Sequence, residues 1–282
     1  MIREPDEPTG RPQRPFKARE MLQRMERLLS ETRSPKRRKA NESQQLVYDA
    51  WEAPTDEREQ ELMSQALELD PGNADALLYM LDGAGLQDEE EIQALRNIVA
   101  AAAKSIGPKV FKEDAGHFWG LIETRPYMRA RHRLAGALRA AGRLEEAITE
   151  CEAMLQLNEN DNQGVRYELL PAYLGMNRLE PARALLKKYN EAEFSVVFAW
   201  CAVLERWLSG EAAAAEEALE VARKQNPYVQ VYVKGHRDVP RSLPDSYSPG
   251  SKEEAICFAE VLRCAWARHA EALAWLAGQR IE

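Results

Sequence analysis

The stretch from Tyr127 to Asp161, YMRARHRLAGALRAAGRLEEAITECEAMLQLNEND, narrows the possible folds more than any other part of the chain. It reads as two amphipathic helices of similar length hinged at Gly142. In the first, Met128, Arg131, Leu134, Ala135 and Leu138 share a face; in the second, Ala147, Cys151, Met154, Leu155 and Leu157 do. Apolar positions three and four apart mark one side of a helix. The small residues among them mark where the two helices cross. Such a hairpin completes its core by stacking on neighbours of its own kind.

Neighbours of that kind recur in phase. Gly210, Ala215 and Pro227 lie 68 residues beyond Gly142, Ala147 and Glu159, and NRLEPA (177–182) echoes GRLEEA (142–147) at a spacing of 35. Upstream, ALELDPGNADAL (66–77) repeats the helix ending, with Pro71 at the proline place. These residues resemble the tetratricopeptide repeat, a helix–turn–helix unit of about 34 residues. With Met128 as first position, Leu134-Ala135 takes the place of Leu-Gly, Leu138 that of Tyr, and Ala147 the central alanine. Cys151 takes the Phe place, and Glu159 stands where the proline usually is. The resemblance implies an all-α fold, a right-handed α-solenoid of three or four hairpins. It also implies a concave groove lined by the first helices that binds a segment of another protein. Some members clamp a carboxylate with Lys and Asn at fixed places. Here those places hold His132, Gly136, Tyr167, Val197 and Cys201, so that clamp is not expected.

The formal charge of −8 argues against a general nucleic-acid binder. The charge is divided: residues 1–40 carry +6 and the remainder −14. Residues 1–15 contain four prolines, a disordered composition. Phe16–Ser30 has the pattern of a short amphipathic helix. SPKRRK (34–39) reads as a nuclear import signal in a eukaryote, as a nucleic-acid contact, or as a solvated linker. The four cysteines lie in apolar helical patterns with no CxxC pair, so free buried thiols in a reducing compartment are expected. No secretory leader is visible, and stretches such as Phe194–Leu204 are too short to span a bilayer. The expectation is a soluble, cytoplasmic protein that uses no membrane.

The expected organisation is a basic disordered tail (1–42) and a helical repeat domain (43–282). Helices are expected over Gln44–Glu52, Asp56–Leu69 with Thr55 as N-cap, Ala74–Leu81, Glu89–Lys104 and Gly116–Glu123, with a new start at Pro126. Asn162 is the expected cap of a helix through Leu174; Glu180–Tyr189, Phe194–Ser209 and Glu211–Gln225 follow. Residues 227–250, with their prolines and glycines, should form an irregular loop. Ser251 and Glu254 then form a capping box that opens one final helix, which caps the array over 251–277. NPYVQVYV (226–233) and SKEEAICFA (251–259), with Trp266 and Ala272-Leu273, also resemble the suppression of tumorigenicity seven family. That family has membrane-spanning segments, so this likeness supports the helical fold alone.

The candidate partner-binding residues form two groups. Trp119, Arg125, Tyr127, Arg129, His132 and Arg133 cluster around the helix starting at Pro126. Arginine forks pair with carboxylates, and the aromatic rings could stack on a ligand, which suits an acidic peptide segment. The same arginines could instead pair internally with Glu123, Glu145, Glu146 or Glu168. The second group is Asn162, Gln163 and Arg166, placed to hydrogen-bond a peptide backbone or to cap turns. No catalytic constellation, phosphate loop, metal-ligand set or cofactor fingerprint is present, so the chain reads as no enzyme, with no cofactor or metal. Arginine contacts to phosphates, through the tail and the cluster, are the first alternative reading; the second is an enzyme hidden on the helical scaffold, which would need a pocket gathering His117, His236 or acidic side chains. The oligomeric state is left open.

Overall fold

The computed structural model describes residues 35–86, 88–240 and 242–279. The expected disordered start and the Phe16–Ser30 helix lie outside the described residues. Within them the chain is all-α, with fourteen α-helices joined by turns and short 3-10 segments. The contacts divide the chain into two compact units, one ending at Pro71 and the other beginning at Gly72.

The first unit holds a helical hairpin, α1 (Pro35–Trp51) and α2 (Asp56–Leu69). Val47 and Ala50 on α1 and Leu62, Met63 and Ala66 on α2 are buried. The Ser43 hydroxyl, also buried, donates to the Ala66 carbonyl at 2.7 Å, tying the helices together. As expected, Thr55 caps α2 by accepting from the Arg58 amide. The sequence reading starts α1 nine residues late. Proline is well suited to the first helical position, and the Arg38–Glu42 pair at i, i+4 supports the opening turns. The expected tail boundary at residue 42 therefore falls inside α1.

The second unit is a stack of hairpins. Its helices are α3 (Ala74–Ala84), α4 (Asp88–Ile106), the short α5 (Pro108–Glu113), α6 (Arg125–Ala140), α7 (Leu144–Leu157), α8 (Arg166–Gly175), α9 (Leu179–Tyr189), α10 (Val196–Leu208) and α11 (Ala212–Gln225). Asn73 caps α3 through the amides of Asp75 and Ala76. Consecutive helices pair, and α4, α6, α7, α8, α9 and α10 each pack on the next hairpin member.

The repeat is visible in the turns. Gly142, Asn177 and Gly210 all take left-handed backbone, with φ of 74, 55 and 78°. At each, the next residue's amide reaches back five residues, from Arg143 to Leu138, Arg178 to Tyr173 and Glu211 to Arg206, at 2.8, 2.8 and 3.0 Å. This is the Schellman ending, which favours glycine and tolerates asparagine. Gly235 repeats it, with His236 bonding back to Val231, at the end of a short α12 (Val229–Val233). The segment expected as a loop over 227–250 thus begins with a truncated first helix.

Three further expectations are corrected. The helix predicted over Gly116–Glu123 is two 3-10 turns, Phe118–Gly120 and Ile122–Thr124. Gly116 has φ of 86°, and the Thr124 hydroxyl reaches the Leu121 carbonyl at 2.9 Å, which closes the segment into tight turns. Asn162 does not cap α8, whose N-cap position is Val165; the Asp161 carboxylate accepts from the Val165 and Arg166 amides at 2.7 and 3.0 Å. The final helix is two, α13 (Lys252–Trp266) and α14 (Ala270–Gly278). Ser251 caps α13 as expected, but the Glu254 carboxylate accepts from the Gly250 amide and from Asn226.

α13 packs against α8, α10 and α12, and its Glu260 reaches Arg139 on α6. It therefore lies across the first helices of successive hairpins. The Cβ of any residue replacing Gly175 on α8 would sit 3.2 Å from the Cys264 carbonyl oxygen, which shows how closely the backbones approach. Trp200 of α10 and Trp266 of α13 are both fully buried and meet edge-to-face with centroids 6.4 Å apart. His269 adds a 2.8 Å contact from its ring to the Leu174 carbonyl.

Candidate partner-binding cavity

The arginine cluster on α6 divides by partner. Arg129 forks onto the carboxylate of Asp75, whose side chain is 3% exposed, with Nε at 2.8 Å from Oδ1. Arg133 donates to Asp82 at 2.8 Å and Glu91 at 3.0 Å. Arg131 pairs with Glu150 at 2.6 Å. These links tie α6 to α3, α4 and α7. Arg125 donates to the Trp119 carbonyl at 2.9 Å and covers the Trp119 ring. Tyr127 is buried against Phe111 and Phe118, with the Arg131 guanidinium over its ring, and burial raises its phenol pKa. Trp119, Arg125, Tyr127, Arg129 and Arg133 are thus engaged in contacts within the fold. The acids they use differ from those expected from the sequence.

The rest of the candidate set lies near a cavity of about 540 Å³ between the α6–α8 face and α13. Asn162, Gln163 and Arg166 form part of its wall, together with Arg139, Glu168 and Glu260. Leu243 from the 236–250 loop and Phe258 and Val261 from α13 supply an apolar side. Leu243 is half-exposed at the rim. His132 reaches this site indirectly, with Nε2 2.6 Å from Oε1 of Glu168. That hydrogen bond raises the His132 pKa above its ordinary value against the opposing effect of burial. Burial pushes the Glu168 carboxyl up, but His132 and Arg139 outweigh it and hold the carboxyl low.

Arg166 is fully engaged. It donates to Asp161 at 2.8 Å, to Glu191 at 3.2 Å and to the Tyr167 hydroxyl at 2.7 Å, and its guanidinium stacks 4.2 Å from the Tyr167 ring centre. Gln163 donates to the Met128 carbonyl at 3.3 Å, while its own carbonyl oxygen is buried without a donor. Arg139, Glu260, Phe258 and Leu243 were not anticipated. Arg139 lies one heptad beyond His132 on the same helix face, a spacing that could have flagged it. Glu260 and Leu243 arrive through an aperiodic connection that carries no such signal.

Cys151 and Cys201 are buried free thiols, and burial drives both pKa values up. Cys257 and Cys264 are only partly buried, short of the expectation for them. Among the described residues no group of His, Cys, Asp and Glu could hold a metal ion, and no helix is long and apolar enough to cross a membrane.

A family model described as tetratricopeptide repeat matches residues 128–195, which run from α6 through the end of the α8–α9 hairpin. Together with the stacked hairpins, this match supports a helical repeat array of tetratricopeptide type. Such repeats generally mediate protein–protein interaction and are typically non-enzymatic. No curated protein matches the chain, and no solved structure matches it.

Proposed function

We propose that the chain is an adaptor or assembly factor that holds a segment of another protein in the cavity between the α6–α8 face and α13. The observation carrying this reading is the composition of the wall. Polar groups from Asn162, Gln163 and Arg139 face an apolar side made by Leu243, Phe258 and Val261. Peptide sites combine these two chemistries: apolar area for affinity and a few placed polar groups for orientation. The paired arginines Arg129 and Arg133 contribute rigidity, since they join the neighbouring hairpin to α6.

A photo-crosslinking residue at exposed Asn162 tests the reading, with exposed Thr149 on α7 as the control. In the source lysate, position 162 should capture a discrete protein that position 149 does not. Equal capture at both positions, or capture at 149 alone, removes the cavity from the interaction.

A further inference from the structure

The cations at the cavity wall are not equally satisfied. Arg166 uses Nε on Glu191, Nη1 on Asp161 and Nη2 on the Tyr167 hydroxyl. Arg139, whose side chain is only 20% exposed, makes one hydrogen bond, from Nη1 to Oε1 of Glu260 at 3.1 Å. Its Nε is buried with no hydrogen-bond partner. The nearest other acid, Glu168, stands 3.9 Å from that Nε and is already held at 2.6 Å by His132. A largely buried guanidinium is expected to be paired and hydrogen-bonded. Arg139 has an ion pair with Glu168 that is too long for a hydrogen bond, and its single hydrogen bond goes to Glu260, which is 64% exposed.

We propose that Arg139 receives a carboxylate of the bound peptide, and that Glu260 is the internal stand-in this carboxylate replaces. The inference rests on the cavity being where the partner segment sits. Glu260 loses little by leaving, because water already solvates most of its carboxylate, whereas Arg139 gains a partner inside the cavity. Gln163, on the same wall, has a buried carbonyl oxygen with no donor. Leu243, Phe258 and Val261 supply the apolar surface for a neighbouring side chain. The ligand class is therefore a carboxylate flanked by an apolar residue. It can come from an acidic side chain or from a chain terminus.

The test follows the Arg139 Nε–H resonance of the full chain while three acetylated dipeptides are titrated into the millimolar range. Acetyl-leucyl-phenylalanine offers a terminal carboxylate, acetyl-leucyl-glutamate amide a side-chain one, and acetyl-leucyl-phenylalanine amide none. The resonance should shift saturably with one or both of the acids and not with the amide, and the tighter acid identifies the source. Glu260→Gln should tighten binding roughly two- to fivefold, the range an exposed ion pair supports. Arg139→Gln should abolish it. Glu260 is too exposed for its replacement to threaten folding, so that variant remains informative if Arg139→Gln is unstable.

Equal response to the amide, no response to either acid, or unchanged affinity in Glu260→Gln overturns the proposal. Capture from position 162 without a carboxylate response leaves the adaptor reading intact and removes only this one. A carboxylate response without capture keeps Arg139 as an acid site and removes the adaptor reading.

Discussion

At the scale of single residues, the His132–Glu168 pair beside the cavity makes the stability of the fold depend on pH. The His132 pKa is raised above 6.5, first by its hydrogen bond to Glu168 and also by the charges of Glu168 and Asp161, against burial and Arg139. A raised folded-state pKa means the histidine's contribution is complete below the unfolded value and lost as pH rises through the folded one. The Glu168 carboxyl is lowered, so its contribution is present above the unfolded value and lost as pH falls through the folded one. The pair is therefore strongest in mildly acidic solution. Replacing His132 with Gln should cost about 1 kcal/mol near pH 5.5 and clearly less near pH 8.5. Paired thermal melts of the two proteins at both pH values check this, and an equal cost at both would remove the charged pair. The sequence placed His132 beside Arg129 and Arg133 on one helix. It could not show that the arginines turn to α3 and α4 while the histidine turns to α8, because that depends on acids 36 to 54 residues away.

At the scale of elements, the regular hairpins were the legible part. Period, capping residues and the left-handed turn residues at Gly142 and Gly210 all point to the same boundaries. The misreadings fall where a local signal competes with packing. Asn162 is a good cap by type, but Asp161 offers a carboxylate to two amides and to Arg166. The apolar pattern from Ile256 to Leu273 runs through the 267–269 break without interruption, so one helix was expected where two form. Gly175 gave no sign of its role. Its missing side chain lets α13 approach α8, with Arg268 Cδ also 3.5 Å from where a Cβ would stand. A Gly175→Val chain should be destabilised by about 1–3 kcal/mol through overpacking. Hydrogen exchange should rise in 252–278 and stay unchanged in the α6–α7 hairpin. Unchanged exchange in 252–278 would mean that α13 does not depend on this contact.

At the scale of the second unit, the open question is whether the C-terminal pair is an accessory or part of the core. A repeat array read from its period suggests a helix closing the open end, because solenoids need a terminal element. The fold instead sends α13 back across α8 and α10, and the direction of that return is set by residues 236–250, which carry no periodicity. Leu262, Trp266 and Leu276 on this pair are fully buried. At about 1.5–3 kcal/mol for each large side chain, their loss amounts to roughly 5–9 kcal/mol. That is comparable with the whole stability of an ordinary domain, about 5–15 kcal/mol. It would also uncover Trp200. A chain ending at Gly250 should therefore keep much of its helical signal, lose its cooperative melt and bind hydrophobic dyes. A cooperative melt at the intact protein's temperature would make α13–α14 dispensable. In the expected case α13 cannot leave to admit a partner, so the proposed binding would act through its exposed side chains. Glu260, 64% exposed, is one of these, and exchanging its carboxylate for a partner's needs only a side-chain rotation.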